Sequence, residues 1–483
     1  MKQALGHPPG SRSGPCHSAM GGDQRLWHVK DVRRLVVGSL LLSGALAAFG
    51  LTWWRSAPRR GEPPGRQPPR KPWSPREAGE AGVLWDWTGI IGTGQSLSVG
   101  VSGEPVLSRA PAFENLKLDL GDMVTPPYDA DDARLRMVPL AEPIRPLTRA
   151  YPGAYPHNIW GESPHTAMAH QVSTLARAHL GRDCVTAHSV VGESGMGITI
   201  IGRDTKPERD RGHAWAASLF EARAIARLAK AAGKSYGVAA IVLTHGESDA
   251  ERLGYAAELR QLWNDYNADL SAITGQTQTI PLLLTQQSST PSELGTVATS
   301  TLAAWRVVGE APGDIVCVGP RYQYEYDADR VHLTALAYAR LGEKYGQVLF
   351  QHVLQRRPFR PLEPLAVQRR GSDIVVRFHV PVPPLRWHEA LATPDVGRGF
   401  ELLKGGAPVA IAQVLLEGAD SVVITPALEA QGGLKLRYAL SAQKPRPRGT
   451  VRWGALCDSD PFVGSHTRTA QANHAVSFEL DVH

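Results

Sequence analysis

Between residues 81 and 356, short apolar runs alternate with longer stretches whose apolar residues recur every three or four positions. Val83–Ile91, Cys184–Val191, Tyr236–Leu243, Thr279–Thr285 and Asp314–Val318 have the length of strands and are largely apolar. Thr166–Ala178, Ala214–Ala232, Ala250–Ile273 and Leu333–Val353 have helical spacing, and Leu259, Leu262, Trp263 and Tyr266 fall on one face of the third. Apolar strands alternating with amphipathic helices predict an α/β fold, with a mostly parallel sheet covered on both faces. In such sheets ligands gather at the carboxyl ends of the strands.

From residue 357 the pattern changes. Prolines punctuate the chain at 358, 361, 364, 381, 383 and 384, and short alternating runs follow at Asp373–Val380, Ala412–Leu416, Ser421–Thr425, Leu434–Leu440 and Ala475–Leu480. This predicts a C-terminal β-sandwich over 357–483, read as a packing domain with sugar binding as the alternative. Residues 100–165 carry neither periodicity and are rich in proline. They are expected to form a long irregular loop lining the mouth of a site, because structureless stretches of that length in a domain usually serve function. Tyr155, His157 and Trp160 in it would touch substrate or pack the loop down.

The N-terminal part reads differently. A basic segment, 1–34, leads into 35–54, which carries no charge and is long enough, at about 20 residues, to cross a bilayer. Trp53 and Trp54 suit a membrane interface. The expectation is a transmembrane signal anchor, with cleavage after Ala45-Leu46-Ala47 as the alternative. Residues 55–80 are dense in Pro, Arg and Gly and predict an extended linker. The net charge of +6 is concentrated there, in Arg55, Arg59, Arg60, Arg66, Arg70, Lys71 and Arg76. The basic balance therefore does not point to nucleic acid as a partner. Cys16, Cys184, Cys317 and Cys457 have no CxxC or Cys/His ligand spacing. Buried free thiols are expected, a single bridge involving Cys457 being the alternative.

Candidate chemistry sits after the strands. Gly92-Thr93-Gly94-Gln95-Ser96-Leu97-Ser98 follows the first and places a serine on a sharp turn, where backbone N–H groups can hold an oxyanion. Gly192-Glu193-Ser194-Gly195-Met196-Gly197 and Thr244-His245-Gly246-Glu247-Ser248-Asp249 follow two others. Asp329-Arg330-Val331-His332 puts an acid and a histidine three residues apart just ahead of a helix. Ser98 and Ser194 are rival serines; the run around Ser194 does not satisfy Gly-x-Ser-x-Gly.

These four blocks, in this order over about residues 83–355, resemble the SGNH hydrolases, and more narrowly the carbohydrate esterase branch that includes sialic-acid-specific acetylesterases. The resemblance implies a three-layer α/β/α (flavodoxin-like) SGNH domain over 81–356. Ser96 would be the nucleophile, His332 the general base and then acid, and Asp329 the group that orients the imidazole. The oxyanion would be held by the N–H of Ser96, the N–H of Gly195 (Gly192 is the alternative) and a side chain of the third block. That side chain is His245 here, where many relatives carry Gln. Glu247 competes with Asp329 as the acid. The implied substrate is an acylated carbohydrate, and the mechanism requires no metal or organic cofactor. An acyltransferase, or a non-catalytic glycan-binding protein on the same scaffold, are the alternatives. An esterase acting on glycans is expected outside the cytoplasm, held at the membrane through 35–54 or secreted if that segment is cleaved. The oligomeric state is left open.

Overall fold

The computed structural model describes residues 81–82, 85–120, 128–145, 155, 161–209, 211–289, 299–391, 395–428, 432–441 and 452–483. All of these belong to one unit spanning Lys71–His483. Seven strands, β1 (Trp87–Gly94), β2 (Leu116–Asp119), β3 (Arg136–Pro139), β4 (Thr186–Gly192), β5 (Tyr236–Thr244), β6 (Leu282–Gln286) and β7 (Ile315–Pro320), form one sheet in the order β3-β2-β4-β1-β5-β6-β7. Every pairing is parallel except β2 with β3. Helices α1 (Pro164–Leu180), α2 (Ala214–Ala231), α3 (Tyr255–Thr274), α4 (Thr299–Arg306) and α5 (Ala335–Leu349) lie between or after these strands.

The central strands β1, β4, β5, β6 and β7 are buried along nearly their whole length because successive side chains enter different cores. Ile91, Val191, Ile241, Leu243 and Leu284 join Phe220 of α2 and Leu259 and Leu262 of α3. Ile90, Val242, Leu283 and Val316 join Met168 and Val172 of α1 and Leu341 and Tyr345 of α5. A period of two along each strand sorts the residues into these two clusters. Helices α1 and α5 approach unusually closely: a Cβ at Gly342 would lie 2.0 Å from the Pro164 carbonyl oxygen.

The described part of 100–165 contains secondary structure that was not expected. It supplies β2 and β3, which extend the sheet beyond β4. Neither strand exceeds four residues, and only Leu118 of β2 is buried in full, so their hydrophobic signal is too short to stand out. Tyr155 is buried and its hydroxyl donates to Glu221 Oε1 at 2.7 Å, which takes it out of any substrate cleft. His157 and Trp160 lie outside the described residues.

After α5 come strands β8 (Glu363–Arg370), β9 (Asp373–His379), β10 (Arg386–Trp387), β11 (Phe400–Lys404), β12 (Ala407–Val409), β13 (Ile411–Glu417), β14 (Ser421–Pro426), β15 (Leu434–Tyr438), β16 (Leu456–Cys457) and β17 (Phe478–Asp481). They form antiparallel sheets ordered β13-β14-β9-β8 and β12-β11-β15-β17, with β10 paired to β16. This region is tied to the α/β part by buried polar bonds. Gln286, at the end of β6, donates to the Ser477 carbonyl at 2.9 Å and accepts from the Ser477 N–H at 2.7 Å. Glu343 of α5 accepts from the N–H groups of His466 and Thr467 and from the Gln471 side chain.

The expected anchor at 35–54 lies outside the described residues. Among the described residues no helix is long and apolar enough to cross a membrane. The expectations of membrane anchoring and of an extracytoplasmic location, the latter argued from a glycan substrate, are corrected on this finding and are not carried further. Cys184, Cys317 and Cys457 are free and buried, and burial pushes the Cys184 thiol up to about 11.

The close helix crossing gives a test. Gly342→Ala should destabilise the protein by about 1–3 kcal/mol, the usual cost of overpacking, because the new methyl meets backbone rather than a side chain that can move. Denaturant unfolding with an unchanged m-value checks this.

Candidate active site

Strand β1 lies between β4 and β5, and the loops after these three neighbours converge. At Gly94 the backbone takes φ +136°, and a Cβ there would sit 2.3 Å from the Thr244 carbonyl oxygen at the end of β5. Only glycine fits. The following residue, Gln95, donates its N–H to that carbonyl at 3.2 Å, and Glu193, just after β4, donates its N–H to the Gly94 carbonyl at 2.9 Å. Ser96 then opens a short 3-10 turn, Ser96–Val99, closed by Gly100 in the left-handed region.

Ser96 Oγ lies 2.7 Å from His332 Nε2. On the far side of the ring, His332 Nδ1 lies 2.5 Å from Asp329 Oδ2. The other Asp329 oxygen accepts from the N–H groups of Val331 and His332, each at 2.9 Å. Partial burial raises the Asp329 pKa. The bonds from the His332 ring and from the two amides outweigh it and hold the carboxyl at about 2. A carboxylate on Nδ1 leaves Nε2 unprotonated in the neutral ring and free to accept from the Ser96 hydroxyl. Thr334 caps α5 two residues after His332, its side chain accepting from the Ala337 N–H. The seating of α5 against α1 therefore sets where His332 stands.

The other expected residues are placed as follows. Gly195 is at φ +73° with open space where a side chain would be, on the loop after β4. Gly192 is packed: a Cβ there would collide with Ser98 Oγ. Ser98 Oγ itself donates to the Gln95 carbonyl at 2.7 Å, which gives this rival serine a structural role. Ser194 is buried on the second loop. His245 is wholly buried. Its Nε2 lies 3.0 Å from the Met196 carbonyl oxygen and its Nδ1 2.8 Å from the Tyr255 hydroxyl. His245 was expected to offer an N–H to an oxyanion; in this geometry both of its ring nitrogens already face protein partners. Glu247 is ion-paired with the fully buried Arg321 at 2.7 Å and does not stand against His332.

Sequence reasoning passed over several residues that build this arrangement. Arg321, at the end of β7, reaches back to the carbonyl oxygens of His245 at 3.2 Å and Gln286 at 3.4 Å as well as to Glu247. It braces the segment that returns from the edge strand to Ser96. Asp249 accepts from the Ile198 N–H at 2.6 Å and so holds the second loop. Gln95 Oε1 accepts from the Ser248 N–H at 3.3 Å. Asp249 stands inside a block already singled out and was findable; nothing around Arg321 signals its reach. Among the described residues no group of three or more His, Cys, Asp or Glu is placed to hold a metal ion. A cleft of about 1050 Å³, lined in part by Trp85, Trp87, Phe113 and Lys234, lies at the amino ends of β1 and β5 and includes none of these site residues.

No protein-family model matches this chain, and no curated protein matches it in sequence. Among solved structures it is similar to a carbohydrate acetylesterase from Xanthomonas citri, with a TM-score of 0.53 and 11% identity over 82% of this chain and 80% of that one. It also matches an Arabidopsis thaliana protein at TM-score 0.39 and 18% identity, over 56% of this chain and 100% of that one. The protein NanS matches at TM-score 0.36 and 13% identity, over 55% and 97%. The first likeness speaks to the fold alone; the other two are too loose to carry an argument.

The buried ion pair gives a second test. Glu247→Gln leaves the Arg321 charge without its carboxylate and should cost about 3–5 kcal/mol of stability, read by denaturant unfolding. A loss below about 1 kcal/mol would show that Arg321 is held by its carbonyl contacts alone.

Proposed function

We propose that this chain is a serine esterase of the SGNH class, with a three-layer α/β/α domain and a C-terminal β-sandwich that serves packing. It removes acetyl or another small acyl group from a carbohydrate. The observation that carries the proposal is the unbroken line Asp329–His332–Ser96, joined at 2.5 Å and 2.7 Å. The substrate class is taken from the name of the Xanthomonas citri structure, a carbohydrate acetylesterase.

In this reading Ser96 Oγ attacks the ester carbonyl carbon as its proton passes to His332 Nε2. The charge that develops on the carbonyl oxygen is met by the N–H groups of Ser96 and Gly195. Collapse of the tetrahedral intermediate breaks the bond to the alcohol oxygen, which takes the proton from His332. The acyl group is left on Ser96. Water then attacks it with His332 as base, releasing the carboxylic acid and restoring the serine. Asp329 stays ionised throughout and keeps the ring in the required tautomer. The hydrolytic steps call for no cofactor.

Hydrolysis of p-nitrophenyl acetate by the full chain tests this. Ser96→Ala should lower kcat by about 10³-fold or more, and Asp329→Asn by about 10²–10⁴-fold. Glu247→Gln, assayed where it is folded, should keep kcat within about tenfold, since it is not the acid of the line. Unchanged activity in Ser96→Ala would sink the nucleophile assignment, and the burden would pass to Ser194.

A further inference from the structure

Several contacts hold the loop after β4 in place, among them the Met196 N–H, which donates to the Glu193 carbonyl at 3.3 Å. Glu193 donates its N–H to the Gly94 carbonyl at 2.9 Å, beside the serine. Asp249 takes the Ile198 N–H at 2.6 Å and packs against Gly197, where a Cβ would come within 3.0 Å of Oδ1. Between these anchors lie Gly195 and Met196, and the Met196 carbonyl meets His245 Nε2 at 3.0 Å. A carbonyl oxygen can only accept, so Nε2 carries the proton. Burial lowers the His245 pKa, against the Met196 bond and the nearby Asp249 and Glu247 charges, which favours the neutral ring. A neutral ring protonated on Nε2 must accept at Nδ1, and the Tyr255 hydroxyl, 2.8 Å away, is the donor that fixes this tautomer.

We propose that His245, with its tautomer set by Tyr255, is a positioning residue: it fixes the Gly195–Met196 peptide so that the Gly195 N–H faces the reacting carbonyl, and it does not touch substrate. The role of the Gly195 amide rests on the esterase reading above; the fixing of the loop does not. Gly195 needs such a hold because its backbone is in the left-handed region with open space where a side chain would be. An amide on an unpinned glycine would have to be ordered during each turnover, and a preorganised donor avoids that cost.

The test uses the full chain as wild type, His245→Gln, His245→Asn and Tyr255→Phe. A glutamine amide can place its NH₂ where Nε2 stands; an asparagine is too short. Two readouts are taken: amide hydrogen exchange of a peptide covering 193–198, and kcat and KM for p-nitrophenyl acetate. His245→Asn should speed exchange in that peptide about tenfold. It should also lower kcat by about 10–100-fold with KM within about threefold. His245→Gln should stay within about threefold of wild type in both readouts. Tyr255→Phe, which keeps the ring but frees its tautomer, should speed loop exchange about threefold and decides the matter if His245→Asn does not fold. Unchanged exchange in His245→Asn with a lowered kcat would overturn the proposal in favour of direct contact with the oxyanion. Equal loosening by Gln and Asn would also overturn it, by showing that the ring only fills space. A wild type without esterase activity would remove the esterase reading, while the exchange rates would still decide whether His245 holds the loop.

Discussion

The site depends first on a backbone contact that no side chain makes. At Gly94 the chain passes so close to the Thr244 carbonyl that a single methyl would be excluded. Through this point β1 is locked to the end of β5, and through the Gly94 carbonyl to the start of the loop after β4. The turn bearing Ser96, the turn bearing Gly195 and the block from His245 to Asp249 are thus tied to one another by peptide groups. Peptide groups have little freedom, and a site assembled on them costs little entropy to hold.

The histidine arrives by a longer route. Strand β7 is at the edge of the sheet, away from β1, so the chain after it must run back across the carboxyl ends of β6 and β5. Arg321 fills a buried position beside that return, its charge facing Glu247 at 2.7 Å and the carbonyl groups of Gln286 and His245. Such a charge is costly to bury unless paired. Its pairing explains why Glu247 stands near the site without taking part in the Ser96–His332–Asp329 line. The second constraint on His332 is the tight crossing of α1 and α5 at Gly342, which seats the helix that begins three residues after His332.

Much of this was legible in the chain. Central strands buried on both faces, such as β5 with Val238, Ile241 and Leu243, announce themselves by continuous apolar residues. Three of the four blocks fell where strands end, and the fourth, Asp329–His332, nine residues beyond β7. Strands β2 and β3 were not legible, because four residues with little burial carry no periodic signal and the prolines around them dominate. The role of His245 was not legible either. Its place in the block suggested an outward donor, whereas the partners that turn it inward, Met196 and Tyr255, are fixed only by the three-dimensional meeting of the β4 and β5 loops with α3. Arg321 illustrates the same limit: a lone arginine after a strand reads as surface until the chain around it has closed.

The grip of the C-terminal region on α5 has a consequence for synthesis. Glu343 takes its partners from His466, which lies 123 residues further along the chain. When the helix that follows His332 leaves the ribosome, the loop that caps its buried carboxylate has not been made. Until it is, Glu343 must remain hydrated, and a hydrated Glu343 keeps the face of α5 around it from its final packing. A nascent chain can therefore complete its seven-stranded sheet before this face of α5 is closed.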